Sequence, residues 1–381
     1  MATKLTRRER RAMKSTSKSP SQARMVWRAF LRHRLGNVGT VVVILLILSA
    51  AFAGFVSPYN YATQNSEYPY SPPTMLHFVS SEGFSLRPFV YKTTREFDSK
   101  TYAAYYVPDT SERYYIRFFV HGSPYRMLGL FKTDLHLFGA QAKDGSTAFV
   151  FLFGTDQYGR DLFTRTMIGG RISLAVGPFV ILLIFPIAIL IGGISGYYGG
   201  WTDMLVQRVC EVFMALPGLP VLLAVGAVLA SLGLSAGMTF LGIIGALAFM
   251  SWAGTARVIR GIALSTRQMD YIAAAKAAGA SDLRIIVHHI TPSLTSYLIV
   301  AATLLIPGMM LTEAALSFLG YGIHEPMTSW GQLLNAANNI SGIQMHPWLL
   351  IPGVFIVIGV LAFNFMGDAL RDAFDPYTNS R

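Results

Sequence analysis

Six apolar runs, each near the twenty or so residues an α-helix needs to cross a bilayer, decide what this chain can fold into. They cover residues 38–55, 172–193, 212–232, 238–258, 297–316 and 349–367. Inside a bilayer no water meets the backbone, so only helices and closed barrels cross, and runs of this length read as helices. Composition agrees. Only 13% of the residues are charged and 52% are hydrophobic, whereas soluble domains carry about a quarter charged residues. The chain is therefore expected to be an all-α polytopic membrane protein with six transmembrane helices. The run at 238–258 is interrupted by Gly242, Gly245 and Ser251, which suits helix packing through small residues.

Charge orients the spans. Residues 1–34 hold eleven Lys or Arg against one acid, Glu9, and so carry +10 of the formal +11. A basic tail before an apolar run suits nucleic acid or a membrane surface. Here the positive-inside rule explains it, and no nucleic-acid partner is expected. An even number of spans puts both termini on the cytoplasmic side. The segment 257–290 then faces the cytoplasm with Arg257, Arg260, Arg267, Lys276 and Arg284, while 231–237 and 319–348 hold no Lys or Arg. No small-x-small cleavage site follows the first apolar run, so it reads as an anchor rather than a cleaved signal. Cys210 is the sole cysteine, so no intrachain disulfide can form.

The stretch between the first two spans, about 56–170, holds twelve of the eighteen tyrosines. Its runs at 101–107, 114–120 and 148–153 suggest strands. Ser71-Pro72-Pro73 and His121-Gly122-Ser123-Pro124 suggest turns. A small β-rich or mixed extracytoplasmic insertion is expected here.

The segment from Tyr271 through Ala273-Ala274-Ala275-Lys276-Ala277-Ala278-Gly279 to Pro292 is polar among apolar runs. Five alanines favour a thin helix. Gly279 permits a tight turn, Ser281 or Asp282 would cap a second helix, and Pro292 would open the next. Such a helix–turn–helix either receives a partner protein or merely links two spans, and the pattern leaves both open.

This segment resembles the EAA loop of ABC-importer permeases, the coupling helix that fits into the ATPase subunit. Ala274, Ala275, Gly279 and Pro292 fall at that family's spacing. Ala273 stands where the pattern has an acid, and Thr291 where it has an apolar residue, so docking would rest on shape and glycine geometry. The resemblance implies an ATPase-coupling surface of Tyr271, Ala274, Ala275, Lys276, Gly279, Ala280, Asp282 and Pro292.

Other segments are similar to the dipeptide, oligopeptide and nickel permeases of that family. The signature before the second span runs from Gly154-Thr155-Asp156 through Gly159-Arg160-Asp161 and Arg165 to Arg171. A short cytoplasmic turn, Gly196-Tyr197-Tyr198-Gly199-Gly200-Trp201-Thr202-Asp203, matches as well. So do Leu316-Ser317-Phe318-Leu319-Gly320-Tyr321-Gly322 with Ser329-Trp330-Gly331. At the carboxyl-terminal end the matching residues are Asn364, Gly367, Asp368, Leu370, Arg371, Asp372, Asp375 and Pro376.

The resemblance implies a type I ABC importer permease fold. A basic tail would cover 1–36, the first span 37–56, an insertion 57–153 and a permease core 154–376, with the coupling loop at 259–292. It also implies ATPase subunits, a second homologous permease and an extracytoplasmic solute-binding protein as partners, in a bacterial inner membrane. The signature's mixed charges would form ion pairs within the loop, sparing them an uncompensated place near the bilayer. The bland alternative is a solvated loop with screened pairs.

No catalytic, cofactor or metal site is expected. His288-His289 lacks a second ligand pair. No lysine follows a glycine, so the chain has no Gly-Lys-Ser/Thr phosphate loop. Energy must come from another subunit or an ion gradient. Glu313, inside the fifth span, is the possible pathway residue, since an intramembrane carboxylate is functional by default. It suits lining the pathway, pairing with a partner helix or binding a substrate amine. Glu211 is expected to pair with Arg208. Together these features predict the permease subunit of an importer for peptides or similar small solutes. The alternatives are an ion-driven secondary transporter or channel, or an anchored receptor acting through residues 56–170.

Overall fold

The structure, a computed structural model, describes residues 22–375 apart from 81, 82, 101, 103, 143, 144, 146 and 339. Most of the basic run and Pro376 lie outside the described residues.

The chain opens with α1 (Gln22–Arg32) and α2 (Arg34–Ala51), separated by His33, whose Nδ1 accepts from the Gly36 amide at 3.0 Å. Gly36 and Gly39 let α2 lie against the last helix, where a Cβ would strike Ala369 or the Ala362 carbonyl. A short turn, α3 (Ala53–Val56), leads into the insertion.

The insertion is one antiparallel meander of β1 (His77–Ser80), β2 (Gly83–Phe97), β3 (Ala104–Met127), β4 (Phe131–Gln141) and β5 (Thr147–Ala148). Its buried residues include Val90, Tyr114, Phe138 and Val150, packed on Phe163 of the next helix. Two expectations fail here. The turn expected at 121–124 is absorbed into β3, where the register to β4 shifts between His121 and Tyr125. Pro124 offers no ladder donor, and a bulge accommodates that without ending the strand. The strand expected at 148–153 stops at Ala148. Side-chain oxygens take the amides beyond it: Val150 donates to Tyr59 Oη at 2.7 Å and Phe151 to Thr74 Oγ1 at 3.0 Å.

Helix α4 (Leu162–Tyr198) is 37 residues long, about 55 Å at 1.5 Å per residue. It outruns a hydrocarbon core of about 30 Å, so its two ends carry different surfaces well apart. The apolar run at 212–232 is not one straight helix. It is divided between α5 (Gly200–Ala215) and α6 (Gly218–Ser231), which meet at 80°. Leu216, with ψ 135°, precedes Pro217, and a residue before proline is pushed out of the helical region.

The chain continues with α7 (Ala236–Thr266), α8 (Asp270–Ala277), α9 (Asp282–Ile285), a π-turn Ile286–Ile290, α10 (Thr291–Ser293) and α11 (Thr295–Phe318). It ends with α12 (Trp330–Asn335), α13 (Ile340–Met345), a 3₁₀ turn Pro347–Leu350 and α14 (Ile351–Phe374). Among the described residues five helical stretches are long and apolar enough to cross a membrane, and the bent pair makes a sixth.

The core lies between α4 and α7, around Val180, Ile184, Leu247 and Ile259. A second cluster joins α2, α11 and α14 through Val43, Met310 and Phe363. Close approach depends on glycines of α4 more than on those of the fourth apolar run. A Cβ at Gly192 or Gly196 would strike the backbone of α7, whereas one at Gly245 would meet nothing.

Candidate functional site

The alanine-rich segment folds as a helix, a glycine turn and a second helix. The Gly279 amide donates to Lys276 O at 3.0 Å and the Ala280 amide to Ala275 O at 3.1 Å. Those two bonds make a Schellman motif, with Gly279 at φ +82° and open space where a Cβ would be. Ile272 is buried with Ala263, Ile285, Ile286 and Ile290 against Ile194 and Tyr197. Tyr271, Ala273, Ala274, Lys276 and Ala277 are exposed, as is Leu283. Ala275 and Ala280 are half-buried. One side of the unit is thus pinned by isoleucines, and the other presents alanines flanked by Tyr271, Lys276 and Leu283.

The expected cap takes another form. Ser281 holds the N-cap position of α9 without a side-chain bond. Asp282 is tied elsewhere: Tyr197 donates to one carboxylate oxygen at 2.7 Å and Tyr198 to the other at 3.1 Å. These bonds hold the Asp282 carboxyl below the usual carboxylate range. Pro292 sits in the first turn of α10, just past the π-turn. The widened turn gives Thr291 a bond from its hydroxyl to Ile286 O at 3.0 Å.

Beside this unit, the Gly196–Asp203 turn is stapled to the end of α7. Arg260 forks onto both Asp203 carboxylate oxygens, and Ser195 donates to one of them at 2.6 Å. Arg267 donates to the Gly196 and Tyr197 carbonyls at 3.2 and 3.1 Å, closing the carboxyl-terminal end of α4. Arg208 and Glu211 pair at 2.7 Å.

The signature lies at the opposite end of α4, and its Asp156, Arg160, Asp161 and Arg165 are buried, while Arg171 is exposed. The alternative of a solvated, screened loop is therefore excluded. Asp156 accepts from Arg160 Nε at 2.7 Å and Arg165 Nη1 at 2.6 Å, all three nearly inaccessible. Glu325, from the segment after the fifth span, receives Arg160 at 2.7 Å and Arg165 at 3.0 Å. Burial would raise the Glu325 carboxyl, but the two arginines outweigh it and hold it below the usual range. Two signature charges make no ion pair. Asp161 is the N-cap of α4, accepting from the Thr164 amide at 2.9 Å and its hydroxyl at 2.5 Å. Arg171 donates to the Ala50 and Ala51 carbonyls at 2.8 and 3.2 Å, closing the end of the first span.

Gly154 (φ +72°) and Gly159 (φ +69°) sit where a Cβ would strike the carbonyls of Ser71 and Asn65. Thr155 donates to Tyr68 O at 2.5 Å and accepts from the Ser71 amide at 2.7 Å. The cluster borders a cavity of ≈ 320 Å³ with Tyr158, His324 and Asn335 on its wall. Its charges are matched internally, so the arrangement clasps two distant segments of the chain together.

Sequence reasoning missed Glu325. A signal was present: the signature carries three arginines against two aspartates, so a further acceptor was needed. Glu313 is wholly enclosed in α11, accepting from Ser317 Oγ at 2.6 Å. Ser317 in turn accepts from the Ile323 amide at 2.8 Å, and Ala314 packs against Gly331.

Residues 188–379 match the family described as binding-protein-dependent transport system inner membrane component. Residues 21–73 match the N-terminal TM domain of oligopeptide transport permease C. The oligopeptide transport system permease protein OppC of Haemophilus influenzae is 43% identical over 225 residues, 59% of this chain and 70% of that protein. The glutathione transport system permease protein GsiD of Pectobacterium atrosepticum is 40% identical over 227 residues, 60% of this chain and 73% of that one. The dipeptide transport system permease protein DppC of Bacillus subtilis is 42% identical over 227 residues, 59% and 68% respectively. Such permeases have no ATP site of their own and work with ATPase subunits and a substrate-binding protein. With its apolar helices, buried signature and stapled helix–turn–helix, the chain belongs to the binding-protein-dependent inner-membrane permeases, the multi-pass subunits of ABC importers.

Proposed function

We propose that this permease pairs with a second, homologous permease to form a pathway for peptides or similar small solutes. Both termini lie on the cytoplasmic side, and the face from Asp270 to Ile290 receives the ATPase subunit. The names of the relatives, transporters of oligopeptides, dipeptides and glutathione, support the solute class. One observation carries the coupling role: an exposed alanine face backed by Ile272, Ile285, Ile286 and Ile290 against α4 and α7. Force applied to that face passes into two long spans through close-packed side chains, which transmit displacement rather than absorb it. Closure of the ATPase pair moves the unit as a rigid body and tilts the spans between inward- and outward-facing states. Glu313 belongs to the pathway wall in this reading, because burying a carboxylate inside a span is costly and such residues mark substrate and ion pathways. It is uncovered when α11 parts from α12.

The test uses the whole complex in vesicles, with ATP hydrolysis and uptake of a labelled dipeptide measured together. Gly279→Val places a β-branched residue in the left-handed region, with no neighbour to strike. Hydrolysis should persist while uptake falls several-fold. Normal uptake would refute the coupling assignment. Mass spectrometry of the purified complex checks the second permease.

A further inference from the structure

The β3–β4 hairpin ends in Met127-Leu128-Gly129-Leu130-Phe131. Leu128, Leu130 and Phe131 are 52%, 74% and 69% exposed, so three large apolar side chains project largely uncovered by the described residues. Leu128 has φ +51° and Gly129 φ +76°. A hairpin turn in that region is filled without strain by Asn, Asp or Gly, which are also soluble there. Leucine serves neither purpose, and an outlier of this kind points to function.

The hairpin's position says what covers it. Its strands run beside the outer end of the first span. Gly122 of β3 faces His136, which bonds Ser57 O, and a Cβ on it would come within 3.6 Å of Pro58 O; Tyr125, three residues on, lies so close to Gly54 that a Cβ there would strike its ring. The strand therefore descends along the first span as it nears its tip. Two or three more residues, at about 3.3 Å each, bring the tip level with the last turns of α2. There Ile44, Leu45 and Leu48 are themselves exposed, so the tip stands at the depth of an apolar span surface. The neck is basic. Arg126 and Lys132 face each other across the ladder, both exposed, and residues 122–133 contain no acid. Apolar tip, cationic neck and a membrane-level position form the pattern of an interfacial anchor, in which cations meet anionic headgroups.

We infer that the β3–β4 hairpin dips into the leaflet on the sheet side of the membrane. Leu128, Leu130 and Phe131 enter the acyl boundary, with Arg126 and Lys132 at the lipid phosphates. The insertion is thereby fixed to the bilayer beside the first span. This rests only on the chain being a membrane permease; the solute and the coupling face play no part in it.

The test reads depth directly. Leu130→Cys and, separately, Phe131→Cys are made in the full chain. Each is co-produced with the partner subunits, reconstituted in vesicles of phosphatidylethanolamine and phosphatidylglycerol, and labelled with an NBD maleimide. The unsubstituted protein, whose Cys210 is buried, is the blank. Lys100→Cys, exposed at the β2–β3 end of the sheet, is the water reference. At 130 and 131 a lipid spin label just below the headgroups should remove most of the emission, and at 100 almost none, with aqueous iodide giving the reverse. Lipid quenching at either tip site supports the anchor. Its absence at both overturns it: iodide quenching would then place the tip in water, and protection from both quenchers would place it against a partner protein.

Discussion

Asp161 is pulled two ways. As the N-cap of α4 it should prefer its charge, which the helix dipole favours. Burial dominates and pushes the carboxyl up to about 6. Because that lies above the unfolded value of about 3.9, its contribution to stability is full below about pH 4 and is lost as pH rises through about 6. Asparagine keeps the cap without the charge. Asp161→Asn should therefore stabilise the purified protein at about pH 8 by up to about 3 kcal/mol, read as a raised melting temperature, with the gain vanishing by about pH 4. An equal gain at both would show that the buried charge is not its cause. Glycines make a second contrast at this scale. Gly279→Ala meets open space and should cost about 1 kcal/mol. Gly159→Ala drives a Cβ into the Asn65 carbonyl from a left-handed backbone and should cost well more than the roughly 1–2 kcal/mol of conformation alone. Thermal unfolding in detergent ranks the two.

Between elements, the signature cluster has unequal members. Asp156 serves two buried arginines, so Asp156→Ala leaves both without their main counterion and should cost about 3–5 kcal/mol. The Glu325 side chain is 48% exposed. Water can replace much of it, and Glu325→Gln should cost no more than about 1 kcal/mol. Comparable losses in a thermal-shift series would contradict this ordering. The cluster also shows where sequence reading stopped. Spacing placed Asp156, Arg160 and Arg165 near one another, since they are local. The excess of arginine called for another acceptor but could not single out Glu325, about 160 residues away, because only the return of α11 to this end of α4 brings it in. The break at Pro217 was legible in principle. The apolar run passes straight through it and hid the proline's local effect behind a hydropathy that reads as continuous.

At the scale of the molecule, α4 links the two ends. Arg171 holds the first span near one end, and Tyr197 and Tyr198 hold Asp282 at the other. Replacing both tyrosines with phenylalanine removes two solvent-screened hydrogen bonds to a carboxylate. The fold should survive, since phenylalanine at 197 keeps an aromatic ring against the isoleucine cluster. Solute moved per ATP hydrolysed should drop in reconstituted vesicles, and an unchanged ratio would mean that α9 transmits nothing through this contact.

The sequence by itself determined that the chain is helical, membrane-spanning and without a phosphate loop, because bilayer thickness and backbone hydrogen bonding leave apolar runs of this length little choice. It also determined the helix, glycine turn and second helix at 270–285, which follow from local propensity. Only the tertiary structure decided which charges meet, which glycines face a neighbour, that β3 continues through Pro124, and that Asp282 is held by tyrosines. Each of these depends on residues far apart in the chain, and distance along a sequence says nothing of distance in a fold.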